Sequence, residues 1–116
     1  MTKLFLTKQL LTMNMQQTVG EIIRTLRKQR GEPLRVVAAA IEIDSSLLSK
    51  IEHGERLPTE QQLSNLAKYF NISLEKLKAQ AIADKIVTSY DYNPTTLRAL
   101  KIAERRITSY LGKINE

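Results

Sequence analysis

The stretch Ile43-Asp44-Ser45-Ser46-Leu47-Leu48-Ser49-Lys50-Ile51-Glu52-His53-Gly54 constrains this chain most, because both of its ends and both of its faces are marked. Asp44 offers a carboxylate to cap a first helical turn, and Ile43 just outside it is placed to staple against Leu48. Gly54 supplies the left-handed residue that closes such a helix. Leu47, Leu48 and Ile51 share one face, while Ser46, Ser49, Lys50 and His53 recur at i, i+3, i+4 and i+7 on another, with Ser45 at its border. The apolar side needs cover from neighbouring elements. The other side, small hydroxyls and one cation, is shaped to approach something closely.

The residues before it supply a partner. Pro33 suits the first turn of a helix running from Leu34 to about Ile41, with Val37, Ala38 and Ile41 facing inward. Ala38 is small enough to let two helices pack tightly. Three residues, Glu42, Ile43 and Asp44, then separate this helix from the next, which is the helix-turn-helix arrangement. Its second member reads as a DNA recognition helix.

Flanking segments complete a bundle. Thr18-Val19-Gly20-Glu21 fits a capping box, and Val19, Ile22, Ile23 and Leu26 mark the buried stripe of a first helix to about Arg30, closed by Gly31. After the loop Glu55-Arg56-Leu57-Pro58, Thr59 and Gln62 form a second box, Leu63, Leu66, Ala67 and Phe70 a second stripe, and Asn71 an end. Ser73 caps a fifth helix, with Ile72 stapling to Leu77. The expectation is an all-α fold, with five helices within residues 18–80. Residues 1–17 have no clear helical period: they read as a flexible leader, or as an arm packing on the domain or touching DNA, and Met13 and Met15 leave room for a later translation start.

Composition narrows the function. The absence of cysteine excludes disulfides and thiol chemistry, and a single histidine excludes a multi-histidine metal site. No nucleophile–base pair or phosphate-binding glycine loop is present, so neither an enzyme nor a cofactor is expected. The longest apolar runs fall far short of the ~20 residues of a membrane span, and Lys8 interrupts the one stretch resembling a signal peptide, so a cytoplasmic protein is expected. The net charge of +6 suits a polyanion, but it divides as +2, +1 and +3 over residues 1–17, 18–70 and 71–116. The basicity is therefore not concentrated in the bundle, and the spacing carries the reading.

With these elements in place, residues 19–77 resemble the lambda-repressor-like, Cro/XRE-type helix-turn-helix family, through VGEIIRTLRKQRG, VVAAAIEIDSSLLSKIEHGERLP and LSNLAKYFNISLEKL. The resemblance implies a five-helix domain that binds operator DNA, with Ser45, Ser46, Ser49 and Lys50 at the positions whose side chains enter the major groove. Lysine donates to guanine O6 and N7, and serine hydroxyls discriminate weakly; Leu47 is a candidate for a thymine methyl. It also implies that Arg27 pairs with Glu52, locking the first helix to the recognition helix. Arg35 and Arg56, at the two ends of the unit, are candidates for DNA backbone contacts, as is His53, which could equally meet water. Two positions depart from the family pattern. Glu42 stands where a turn glycine is usual, and a left-handed backbone there would cost on the order of 1 kcal/mol. Leu34 replaces a glutamine that helps hold a phosphate, although backbone N–H groups at that helix start could still do so.

The fifth helix is expected to continue through Ile82, Ile86 and Val87 to about Ser89. Asn93 and Pro94 then open a last helix, with Leu97, Leu100, Ala103, Ile107, Tyr110 and Leu111 on one face, Lys101, Glu104 and Arg105 elsewhere, and Gly112 at its end. Residues 81–116 thus form a helical extension that either folds back on the domain or joins two copies. A homodimer is favoured, since one short helix reads few bases and such operators are commonly two-fold symmetric. The combination ADKIV and TLRALKIAERRITSYL is also similar to tails of small regulators encoded beside restriction–modification methyltransferases. Three functions follow from these features: a transcriptional regulator, possible restriction–modification control included; an antitoxin whose tail captures a toxin; and a helical adaptor that binds protein only.

Overall fold

The structure, a computed structural model, describes residues 17–115; the expected leader, apart from Gln17, lies outside the described residues. Within that range the chain forms α1 (Val19–Gln29), α2 (Leu34–Ala40), α3 (Ser45–Glu52), α4 (Glu60–Phe70), α5 (Leu74–Tyr90) and α6 (Pro94–Ile114), with no strand. The all-α class holds. Five of the six starts have a side-chain cap: Thr18, Asp44, Thr59, Ser73 and Asn93 accept hydrogen bonds from the amides of Glu21, Leu47, Gln62, Lys76 and Thr96, while α2 begins after Pro33 with no such bond. Thr59 and Gln62 close a full capping box, whereas at Thr18 only half of the expected box forms: Glu21 N–H donates to the hydroxyl, but the Glu21 side chain does not return a bond.

Four of the helix ends share one closure, in which an amide just past the end reaches back five residues. Glu32 N–H donates to Arg27 O, Ile43 N–H to Ala38 O, Glu55 N–H to Lys50 O and Ile72 N–H to Ala67 O. The motif needs a left-handed residue between, and Gly31, Glu42, Gly54 and Asn71 take that conformation, with Glu42 at φ 61°. Gly112, expected to end α6, does not: the helix passes through it to Ile114 because its backbone stays right-handed. A glycine stops a helix only where the chain turns left-handed on it.

The chain divides into two compact units after Asp84. The first is built on Val19, Ile22, Ile23, Val37, Ala38, Ile41, Leu48, Leu63, Leu66, Ala67, Phe70 and Leu77, all buried, with Leu26, Ile43 and Ile72 packed against them. The core is aliphatic apart from Phe70, in keeping with the 5% aromatic content. Two contacts tie distant parts of the unit together. At the turn after α1, the Arg30 guanidinium lies 4.9 Å from the centre of the Tyr69 ring, and the Tyr69 hydroxyl donates to the Glu32 carboxylate, which pushes the hydroxyl's pKa up. At the start of α1, Val19 N–H donates to Asp84 Oδ2 over 2.8 Å, from a residue 65 positions further on.

The second unit holds the end of α5 and all of α6. Asn93 makes the elbow: Thr96 N–H donates to its Oδ1 at 2.8 Å, and its own amide donates to Tyr90 O at 3.1 Å. Val87, Tyr92, Leu97 and Leu100 line an open apolar groove there. No residue of α6 is buried, and Leu97, Ile107, Tyr110 and Leu111 are all about half exposed or more.

Candidate nucleic-acid interface

The inner side of α3 is held by three kinds of contact. Leu48 and Ile51 are 0% and 1% exposed, and full burial of each contributes about 2 kcal/mol. Gly20 in the first turn of α1 permits the closest approach: a β-carbon there would lie 2.1 Å from the Ile51 carbonyl oxygen and 2.8 Å from that of Glu52. Those carbonyls close the C-terminal end of α3, so α1 meets its partner backbone to backbone at that point.

The third contact is ionic. Arg27 Nε donates to Glu52 Oε2 at 2.8 Å and Nη2 to Oε1 at 3.0 Å, a two-pronged pair, while Nη1 donates to Glu32 O at 3.0 Å. The Glu52 side chain is only 2% exposed. Hydrogen bonding to Glu52 raises the Arg27 pKa further despite the opposing effect of burial. Apolar burial holds α3 in place; a planar fork on a carboxylate fixes its orientation.

On the other side of α3, Ser45, Ser46 and Lys50 are exposed, and Ser49 and Leu47 are half-buried. Arg35, second residue of α2, and Arg56, in the loop after α3, are exposed as well, as is His53. The His53 ring has a fixed role on one side: Nδ1 donates to the Ser49 carbonyl at 2.7 Å, which leaves Nε2 as the nitrogen able to meet another group. The structure therefore places Ser45, Ser46 and Lys50 at the surface, leaves Ser49 half-buried, and joins Arg27 to Glu52. Asp44 caps α3 through Leu47 N–H at 2.7 Å, so that helix start already carries a negative charge.

Two residues with long-range contacts at the start of α1 escape local pattern reading. Gly20 sits between Thr18 and Glu21, where the cap is the stronger local signal; a glycine within a helical stripe is itself a sign of close approach. Asp84 leaves no sign near α1 in the sequence. Burial pushes its carboxyl pKa up, the bond from Val19 N–H opposes that, and the Glu21 charge adds to it.

Comparison with known proteins agrees with this geometry. Residues 23–77 match the family described as "Helix-turn-helix", a span that covers α2 and α3 whole. A Bacillus subtilis (strain 168) protein described as the uncharacterized HTH-type transcriptional regulator YazB is 38% identical over 58 residues, covering 50% of this chain and 84% of that protein. No solved structure matches the chain.

Proposed function

The chain belongs to the helix-turn-helix family of transcriptional regulators, and on that premise we propose that it binds operator DNA sequence-specifically as a homodimer, laying α3 in the major groove. The observation that carries this is the outer face of α3: Ser45, Ser46 and Lys50 stand exposed on a helix whose inner face is fixed by Leu48, Ile51 and Glu52. Lys50 supplies the strongest base discrimination, on the order of 1–3 kcal/mol toward guanine, and the serines refine it. Arg35, His53 and Arg56 grip phosphates and set register. The protein acts in the cytoplasm, where its DNA lies, and performs no chemistry of its own. Among the described residues no helix is long and apolar enough to cross a membrane.

The dimer rests on α6, none of whose residues is buried and whose Leu97, Ile107, Tyr110 and Leu111 are about half exposed or more. A second copy would cover them and bring two reading helices to one two-fold site. The same face favours a second reading, an antitoxin that binds DNA and holds a toxin on its tail; a stable unrelated partner bound through residues 80–116 would favour it. Control of a restriction–modification system is the narrower form of the first reading, and a methyltransferase gene under the protein's control would support it.

The test is fluorescence anisotropy on the palindromic DNA upstream of its own gene. Tight, salt-sensitive binding is expected, weakened at least tenfold by Lys50→Ala combined with Ser46→Ala. Equal affinity for a random duplex would refute sequence specificity.

A further inference from the structure

The two long-range contacts at the start of α1 lie on consecutive residues. Val19 N–H is held by Asp84 of α5, and Gly20, next along, is the surface on which the Ile51 and Glu52 carbonyls rest. Both residues are buried, Val19 at 2% exposure. The first four amides of a helix have no partner within it, so an acceptor from elsewhere decides how the first turn lies. Thr18 serves the Glu21 amide by a short local link. Asp84 serves the amide of Val19 from a helix that also anchors to the core through Leu77. The first turn of α1 is thereby fixed to α5, and the end of α3 is fixed to that turn.

We infer that Asp84 is a positioning residue for the reading helix: by holding Val19, it sets the seat at Gly20 on which the C-terminal end of α3 rests. The inference depends on the proposed function for its consequence in DNA binding, but not for its structural part. α3 is short and is clamped near its C-terminal end by Gly20 and by the Arg27–Glu52 pair. A small tilt at that seat moves Ser45 and Ser46, at the opposite end, by more than it moves the seat. Base contacts demand placement within fractions of an ångström, whereas phosphate attraction at long range does not.

The experiment uses the full chain with Asp84→Ala and Asp84→Asn. Both remove the same negative charge, and asparagine keeps an oxygen able to accept from Val19 N–H, so their difference isolates the hydrogen bond. The first measurement is amide hydrogen exchange in the free protein: in Asp84→Ala, protection of the α3 amides is expected to fall about tenfold while α4 keeps its own, with Asp84→Asn close to wild type. The second compares a duplex selected from random DNA with an unselected duplex of the same length. Asp84→Ala is expected to lose about tenfold in affinity for the selected duplex and to change less than twofold on the unselected one, with Asp84→Asn restoring the ratio. Unchanged α3 exchange in Asp84→Ala, or a wild-type ratio between the duplexes, would overturn the inference. A wild-type protein that fails to distinguish the duplexes would refute the proposed function, and the exchange measurement would still decide the role of Asp84.

Discussion

At Gly20 the carbonyl ends of α3 fill the space a β-carbon would need, and backbone, unlike the tip of a flexible side chain, cannot swing aside. Gly20→Ala therefore forces α1 and α3 apart. Overpacking of this kind costs typically 1–3 kcal/mol and occasionally more, against about 1 kcal/mol gained from alanine's better helix propensity. A net loss of about 1 kcal/mol or more is expected in urea unfolding, together with loss of selective DNA binding. An unchanged midpoint would mean that the helices have slack there. At the same scale, the ion pair shows what residue patterns can and cannot say. The pairing of Arg27 with Glu52 follows from the family resemblance; neither residue's spacing alone asks for the other. The Gly20 seat had no such prompt, since its partners are carbonyl groups, which every residue type carries.

Helix ends were the most legible feature in the sequence, since a cap and its amide lie within three residues of each other. Thr18, Asp44, Thr59 and Asn93 all do what their types and positions suggest. Gly112 misled because composition alone does not show which glycines turn left-handed. Glu42 is the converse, a side chain held at φ 61° in the turn before α3. Relief of that strain outweighs the added freedom of the unfolded chain, so Glu42→Gly is expected to stabilise by about 0.5–1 kcal/mol, read as a higher urea midpoint. The start of α1 gives a pH signature. The Asp84 pKa is raised in the folded protein, so ionising it costs more there than in the unfolded chain, whose value is near 3.9. That cost is absent below the unfolded pKa and is fully felt above the folded one. Thermal unfolding should therefore show Asp84→Asn gaining on wild type as the pH rises from about 3 to 7. A constant difference over that range would assign the shift to something other than Asp84.

Over the whole molecule, the two units present opposite problems. The first buries its apolar residues and leaves a polar helix face outward, whereas the second exposes apolar residues along α6. A self-contained core was readable from periodicity, and so was the stripe on α6; what covers that stripe depends on another surface and leaves no trace in the spacing. Ile107, 58% exposed near the middle of α6, is the place to probe it. Ile107→Glu is expected to leave the helical content unchanged and to weaken self-association at least tenfold in sedimentation, with operator binding falling in step. Retained dimers would place the interface elsewhere. One consequence of the way α3 is mounted reaches beyond this molecule. Its fixings (Gly20, Arg27, Leu48, Ile51 and Glu52) and its outward residues (Ser45, Ser46 and Lys50) have no member in common. Under the proposed function, preference for a DNA target would drift, or be re-engineered, by exchanging three side chains while the architecture carrying them stays as it is.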